Sequence, residues 1–273
     1  MMYIYLIWII ILFLFAIIYR YIQFTNFSDI TNLTLALPNL TTTNCLDSFF
    51  DSIVCICLPE RKNYMISVFK QWNIRKVTFF DAFLRTNYTH QDFIDNNFIT
   101  EYYNPRLNLG RICCHYSAMT VYQNFLNSNH ESIFIFEDDL YKDTYLSVEH
   151  FNLVLEPVLQ NVPKNWQYLN FSKCHDYCFQ NYKIENNKYW TIPKRPLCRS
   201  AIALKKNAAK MIVNETQPMS DMPGDKMISN LITEKRFNAY ATKNLYFYQY
   251  RERFGSTLDN VHKTNPPKCA FGR

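Results

Sequence analysis

Three adjacent carboxylates, Glu137-Asp138-Asp139, end the apolar run Ser132-Ile133-Phe134-Ile135-Phe136. Like charges this close raise one another's pKa unless a cation intervenes. Hard cations such as Mn²⁺ or Mg²⁺ take carboxylate oxygens and share their other positions with substrate phosphates. The triplet is therefore a candidate divalent metal site. Its plain alternative is a solvated turn whose aspartates cap the next helix. A second candidate, Cys174-His175-Asp176-Tyr177-Cys178, suggests zinc. A structural zinc site needs four ligands at recognisable spacing, and no second C-x-x-C or H-x-x-x-H completes this one. Disulfide bonding or packing suits those cysteines better. The chain has nine cysteines, an odd number, so one at least is left over from intramolecular pairing.

The triplet needs a frame. Ile53–Leu58 and Ser132–Phe136 are short continuous apolar runs, the pattern of strands buried on both faces. Lys76–Phe80 fits another strand, closed by Asp81, and Tyr168–Phe171 and Ala201–Leu204 fit two more. Helical spacing covers Arg61–Trp72, Leu109–Leu126, the neighbourhood of Asn207–Val213, and Asp225 to about Thr233. Aromatic alternation over Lys243–Tyr250 suggests a late edge strand. Strands alternating with helices predict an α/β fold around a mainly parallel sheet. In such sheets ligands bind at the carboxyl ends of strands, where the triplet falls.

With 273 residues the chain holds one catalytic-sized domain and an N-terminal extension. The net charge of +6 is scattered and forms no Lys/Arg block, so nucleic acid is not an expected partner, whereas a small anionic substrate is. Residues 1–19 carry no charge and approach the length of a bilayer span, with Arg20 and Tyr21 flanking them. An uncleaved membrane anchor is expected there, because a signal peptide's basic start and cleavage site are missing. Residues 20–50 are polar and read as a stem, and 51–273 as the catalytic domain. Arg20 taken alone would hold its side in the cytosol. N-glycosylation sequons at Asn26, Asn32, Asn39, Asn87, Asn170 and Asn214 favour the lumen. The expectation is a single-pass type II membrane protein of the ER/Golgi with a lumenal domain.

Several segments, in order, resemble glycosyltransferase family 25, which includes lipooligosaccharide and collagen galactosyltransferases. They are Ile56-Cys57-Leu58-Pro59-Glu60-Arg61, Thr78–Phe83, Gly110-Arg111-Ile112-Cys113-Cys114 through Ser117, Phe134–Asp139, Arg199–Leu204, Pro223-Gly224-Asp225 and Gln249–Arg251. One departure stands out: the family's helix-start histidine falls at Ala118, and this chain has His115 instead. His115 reads as a core residue.

The resemblance implies a GT-A-like nucleotide-sugar-binding fold and metal-dependent transfer of a hexose, with inversion, from a UDP-sugar to a glycan or glycoprotein hydroxyl. Asp139 would be the most direct ligand of Mn²⁺ or Mg²⁺. Glu137 and Asp138 would share coordination, and Asp138, Arg61 and Asp81 would contact the nucleotide; the alternative for Arg61 and Asp81 is plain surface charge. Inversion needs a base for the acceptor proton. Asp225 is the candidate, with Asp221 second; the alternative for Asp225 is a helix cap. Arg251 and Arg253 would close over the diphosphate or form structural ion pairs. Two other classes compete: a catalytically inactive carbohydrate-binding protein of the same fold, and a glycoside hydrolase. The hydrolase requires carboxylates on opposite sides of a scissile bond, which an adjacent triplet does not provide.

Overall fold

The computed structural model describes residues 42–103, 107–176, 181–219 and 222–255. The compact unit begins at Thr43. Helix α1 (Cys45–Phe49) is capped by Asn44, whose side chain accepts from the Leu46 N–H and donates to the Trp72 carbonyl at 2.7 Å. Leu46 and Phe50 are buried in the core. Residues 44–50, assigned above to the stem, are therefore part of the folded domain.

Strand β1 (Ser52–Cys57) leads through a 3-10 turn, Pro59–Arg61, into α2 (Lys62–Trp72) and β2 (Val77–Asp81). Two helices, α3 (His90–Asp95) and α4 (Leu109–Leu126), precede β3 (Ser132–Glu137). Helix α5 (Val148–Gln160) then leads to β4 (Tyr168–Asn170) and the short strands β5 (Tyr182–Lys183) and β6 (Trp190–Ile192). The described chain ends with β7 (Ala201–Lys205), α6 (Lys206–Thr216), α7 (Gly224–Thr233), β8 (Ala239–Thr242) and α8 (Arg251–Phe254).

These strands form one sheet in the order β2-β1-β3-β7-β4-β8-β6-β5. It is mixed, which corrects the expected mainly parallel sheet. β1 pairs in parallel with β2 and β3, and β4 with β8. β7 runs antiparallel to both β3 and β4, and β6 antiparallel to β5 and β8. The excursion through β5 and β6 brings the chain back reversed, and strand–helix alternation carries no signal of that reversal.

Apolar side chains cover both faces. Phe134 and Phe136 of β3 point to a layer containing Trp72, Phe151, Trp190 and Phe247. Ile133 and Ile135 point to the opposite layer, with Ile112, Met119, Ile202 and Ile212. Full burial of both faces explains the unbroken apolar run of β3.

Residues 243–250 form no strand; only Leu140 and Gln249 make an isolated bridge there. The adjacent Tyr246 and Phe247 of this segment both enter the core, which no strand alternation would give. The sequon at Asn170 is also excluded as an acceptor in the folded domain, because its side chain is fully buried and donates to the Cys198 carbonyl at 3.0 Å.

The expected anchor at residues 1–19 lies outside the described residues. Among the described residues no helix is long and apolar enough to cross a membrane. The expected single-pass membrane placement is corrected on that finding: no membrane anchor is supported among the described residues.

Candidate active site

From β1 the chain adds β2 on one side and β3 on the other, which makes a topological switch point at the carboxyl ends of β1 and β3, where open α/β sheets bind ligands. A cleft of about 700 Å³ opens at this point. Its floor is the acidic triplet at the end of β3.

Asp138 ties the two strand ends together. Its Oδ2 accepts from the Leu58 N–H at 2.6 Å, just beyond β1, and its Oδ1 pairs with Arg61 Nη1 at 2.8 Å. Both side chains are largely buried, 10% and 11% exposed. Burial raises the Asp138 carboxyl, opposed by Arg61 and the Leu58 N–H. Both oxygens of Asp138 are thus engaged with groups of the chain at the ends of the two strands. Phe254 lies over the Arg61 guanidinium at 4.7 Å and covers the pair.

Asp139 is different. Its Oδ2 accepts from Gln249 Nε2 at 3.0 Å, while Oδ1 is buried with no hydrogen-bond partner. Burial, then Glu137 and Asp138, push its pKa up to about 7, against the pull of Arg61 and Arg251. The segment carrying Gln249 runs beside the residues after β3: Tyr141 N–H donates to the Tyr248 carbonyl and Tyr250 N–H to the Asp139 carbonyl. Gln249 Oε1 in turn accepts from Arg251 at 2.8 Å.

Glu137 is raised by burial, against the lowering influence of Arg199, while Asp138 and Asp225 raise it further. Arg199 is 6% exposed, lies immediately before Ser200 and β7, and lines the cleft. It donates to Cys114 Sγ at 3.5 Å and meets His115 Nδ1 at 3.4 Å. His115 is fully buried, as expected for a core residue, and burial and the Arg199 charge hold its imidazole well below the ordinary range.

Asp225 lines the same cleft from the first turn of α7. That helix begins at Gly224, with Pro223 at the N-cap and no side-chain capping bond. The cap alternative for Asp225 does not hold. Asp221 lies outside the described residues. Asp81 is not brought to the cleft: its side chain is 69% exposed and pairs with Lys62 at 3.2 Å. Arg251 lines the cleft, but Arg253 stacks on Tyr64 at 4.7 Å. Cys174 forms a disulfide with Cys198, which leaves no C-x-x-x-C zinc site.

Among the described residues no three His, Cys, Asp or Glu side chains gather closely enough to form a protein-only metal cage. The orphaned Oδ1 of Asp139, with Glu137 two residues before it, fits a different kind of site. Mg²⁺-type ions are commonly held by one or two carboxylates plus substrate phosphates and water. Arg61, Arg85, Arg111, Arg199 and Arg251 line the cleft and suit an anionic ligand.

Arg199 and the Gln249 contact to Asp139 were not visible as site features in the sequence. An arginine leading directly into an apolar strand was the available signal for the first. The second depends on a long-range bridge and had none.

Residues 57–228 match the family model described as glycosyltransferase family 25 (LPS biosynthesis protein). No curated protein matches the chain.

Proposed function

The chain belongs to glycosyltransferase family 25, and from that premise we propose that it transfers a hexose from a UDP-sugar to a hydroxyl of a glycan or glycoprotein, with inversion, on a GT-A-like fold. The observation that carries the reading is the buried, unpartnered Oδ1 of Asp139, set in a cleft lined by arginines. The parallel β2-β1-β3 unit with its acidic motif at the end of β3 supports the fold assignment.

Asp139 and Glu137 would hold Mn²⁺ or Mg²⁺ against the donor diphosphate. The ion, when bound, supplies positive charge for the departing nucleoside diphosphate. The chain's own residues do the rest. Arg61 and the Leu58 N–H hold Asp138, and through it the two strand ends, in fixed register. Gln249 holds Oδ2 of the Asp139 carboxylate and leaves Oδ1 without a protein partner, available to a cation. Arg251 adds a cation at the diphosphate end.

Asp225 would accept the acceptor hydroxyl's proton while that oxygen bonds to the anomeric carbon and the carbon–phosphate-oxygen bond breaks. It lines the cleft from α7, a different element from the triplet, and one displacement of this kind inverts the anomeric centre.

A donor screen tests the proposal. Purified protein is incubated with each sugar nucleotide, with Mn²⁺ or with EDTA, and free nucleotide is measured. Release from a UDP-hexose that requires the metal is expected. No turnover of any sugar nucleotide, with an acceptor mixture present, would defeat it.

A further inference from the structure

His115 sits where three elements of the cleft wall meet. It lies on α4, its Nε2 is 3.0 Å from Thr216 Oγ1 at the end of α6, and its Nδ1 is 3.4 Å from Arg199 Nη1 before β7. A guanidinium can only donate, so Nδ1 accepts. The neutral ring then carries its proton on Nε2 and donates to Thr216, whose hydroxyl donates to the Ile212 carbonyl at 2.7 Å. The Thr216 hydroxyl also lies 3.4 Å from Met119 Sδ, and the ring cannot turn over without breaking both of its contacts.

The same ring edge lies against Gly224, the first residue of α7. A β-carbon on residue 224 would overlap Nδ1, Cγ and Cε1 of His115. The obstacle is a fully buried ring pinned at both nitrogens, not the end of a flexible side chain. Glycine is therefore required there by close approach. The next residue is Asp225. Arg199, held from behind by the ring, acts electrostatically on both Glu137 and Asp225.

We propose that His115 is a positioning residue: with Gly224 and Arg199 it forms a joint that sets the Asp225 turn and the Arg199 guanidinium against the acidic triplet. His115 touches no reacting group and works through its neighbours. The joint's role in transfer rests on the function proposed above; its existence does not.

A double-substitution cycle on the full chain tests it, using Gly224→Ala, His115→Ala and the pair. Melting temperature, UDP affinity and the kcat and KM for transfer are measured on each. Gly224→Ala should lower the melting temperature by several degrees through overpacking. It should reduce kcat by about 10²-fold through misplacement of Asp225, with UDP affinity within a few-fold.

In the His115→Ala background the ring is gone, and Gly224→Ala should cost little more in melting temperature. Additive losses would overturn the joint. If Gly224→Ala alone fails to fold, recovery of folding in the pair shows the same coupling, and failure to recover overturns it. Coupled melting with undiminished transfer by folded Gly224→Ala would reduce the contact to packing and overturn the positioning role. An unsubstituted protein that transfers no sugar would defeat the proposed function and the positioning role together, while the melting cycle would still report on the joint.

Discussion

At Asp139, burial and the two neighbouring carboxylates act in the same direction, and no hydrogen bond reaches Oδ1. A carboxyl held near pKa 7 in the folded state, against an ordinary value of 3.8, binds more protons folded than unfolded between those pH values. Stability of the metal-free protein should therefore fall as pH rises from about 4 to about 7. Asp139→Asn removes that slope. Melting temperature measured across this range should be higher than that of the unsubstituted protein near pH 7, with the advantage gone near pH 4, while metal-dependent turnover is lost. Retained turnover would take Asp139 out of the site. Asp225 makes a different prediction, because it neither caps α7 nor belongs to the triplet. Asp225→Asn should slow transfer by about 10²–10⁴-fold, the usual worth of a general base, with UDP affinity within a few-fold. Donor binding that weakens in step with the rate would assign Asp225 to the metal or the sugar instead.

Among the elements, the strands and helices that position the site were the easiest to read. The pairs β1 and β3, and α2 and α4, follow from continuous apolar runs and from helical spacing, and both signals are local. Helix α1 was missed because it is short and polar on one side. Its worth lies in long-range contacts: Leu46 and Phe50 enter the core, and Asp47 accepts from the N–H groups of Arg75 and Lys76. A chain beginning at Thr43 should unfold in urea at the same midpoint as the full chain. One beginning at Asp51 loses two core side chains, each worth about 2–5 kcal/mol. Set against a typical total of roughly 5–15 kcal/mol, that loss should abolish a cooperative transition. A sharp, unchanged transition in the shorter chain would return residues 44–50 to the stem.

Over the whole molecule, the sequence by itself determined the α/β class, the buried central strands and the acidic triplet at the end of one of them. It also marked Asp225 as the start of a helix, and the ordered motifs pointed to the family. These are consequences of local periodicity, of charge repulsion between adjacent residues and of motif order along the chain. Only the tertiary structure decided the direction of β7 and hence the mixed sheet, because strand direction depends on how a connection returns and not on the composition of the strand. It alone engaged both oxygens of Asp138, left Asp139 Oδ1 without a partner, set Asp81 outside the cleft, and brought His115, Gly224 and Arg199 together. Each of these outcomes joins residues far apart in the chain, and the burial that makes them consequential exists only after the chain has folded.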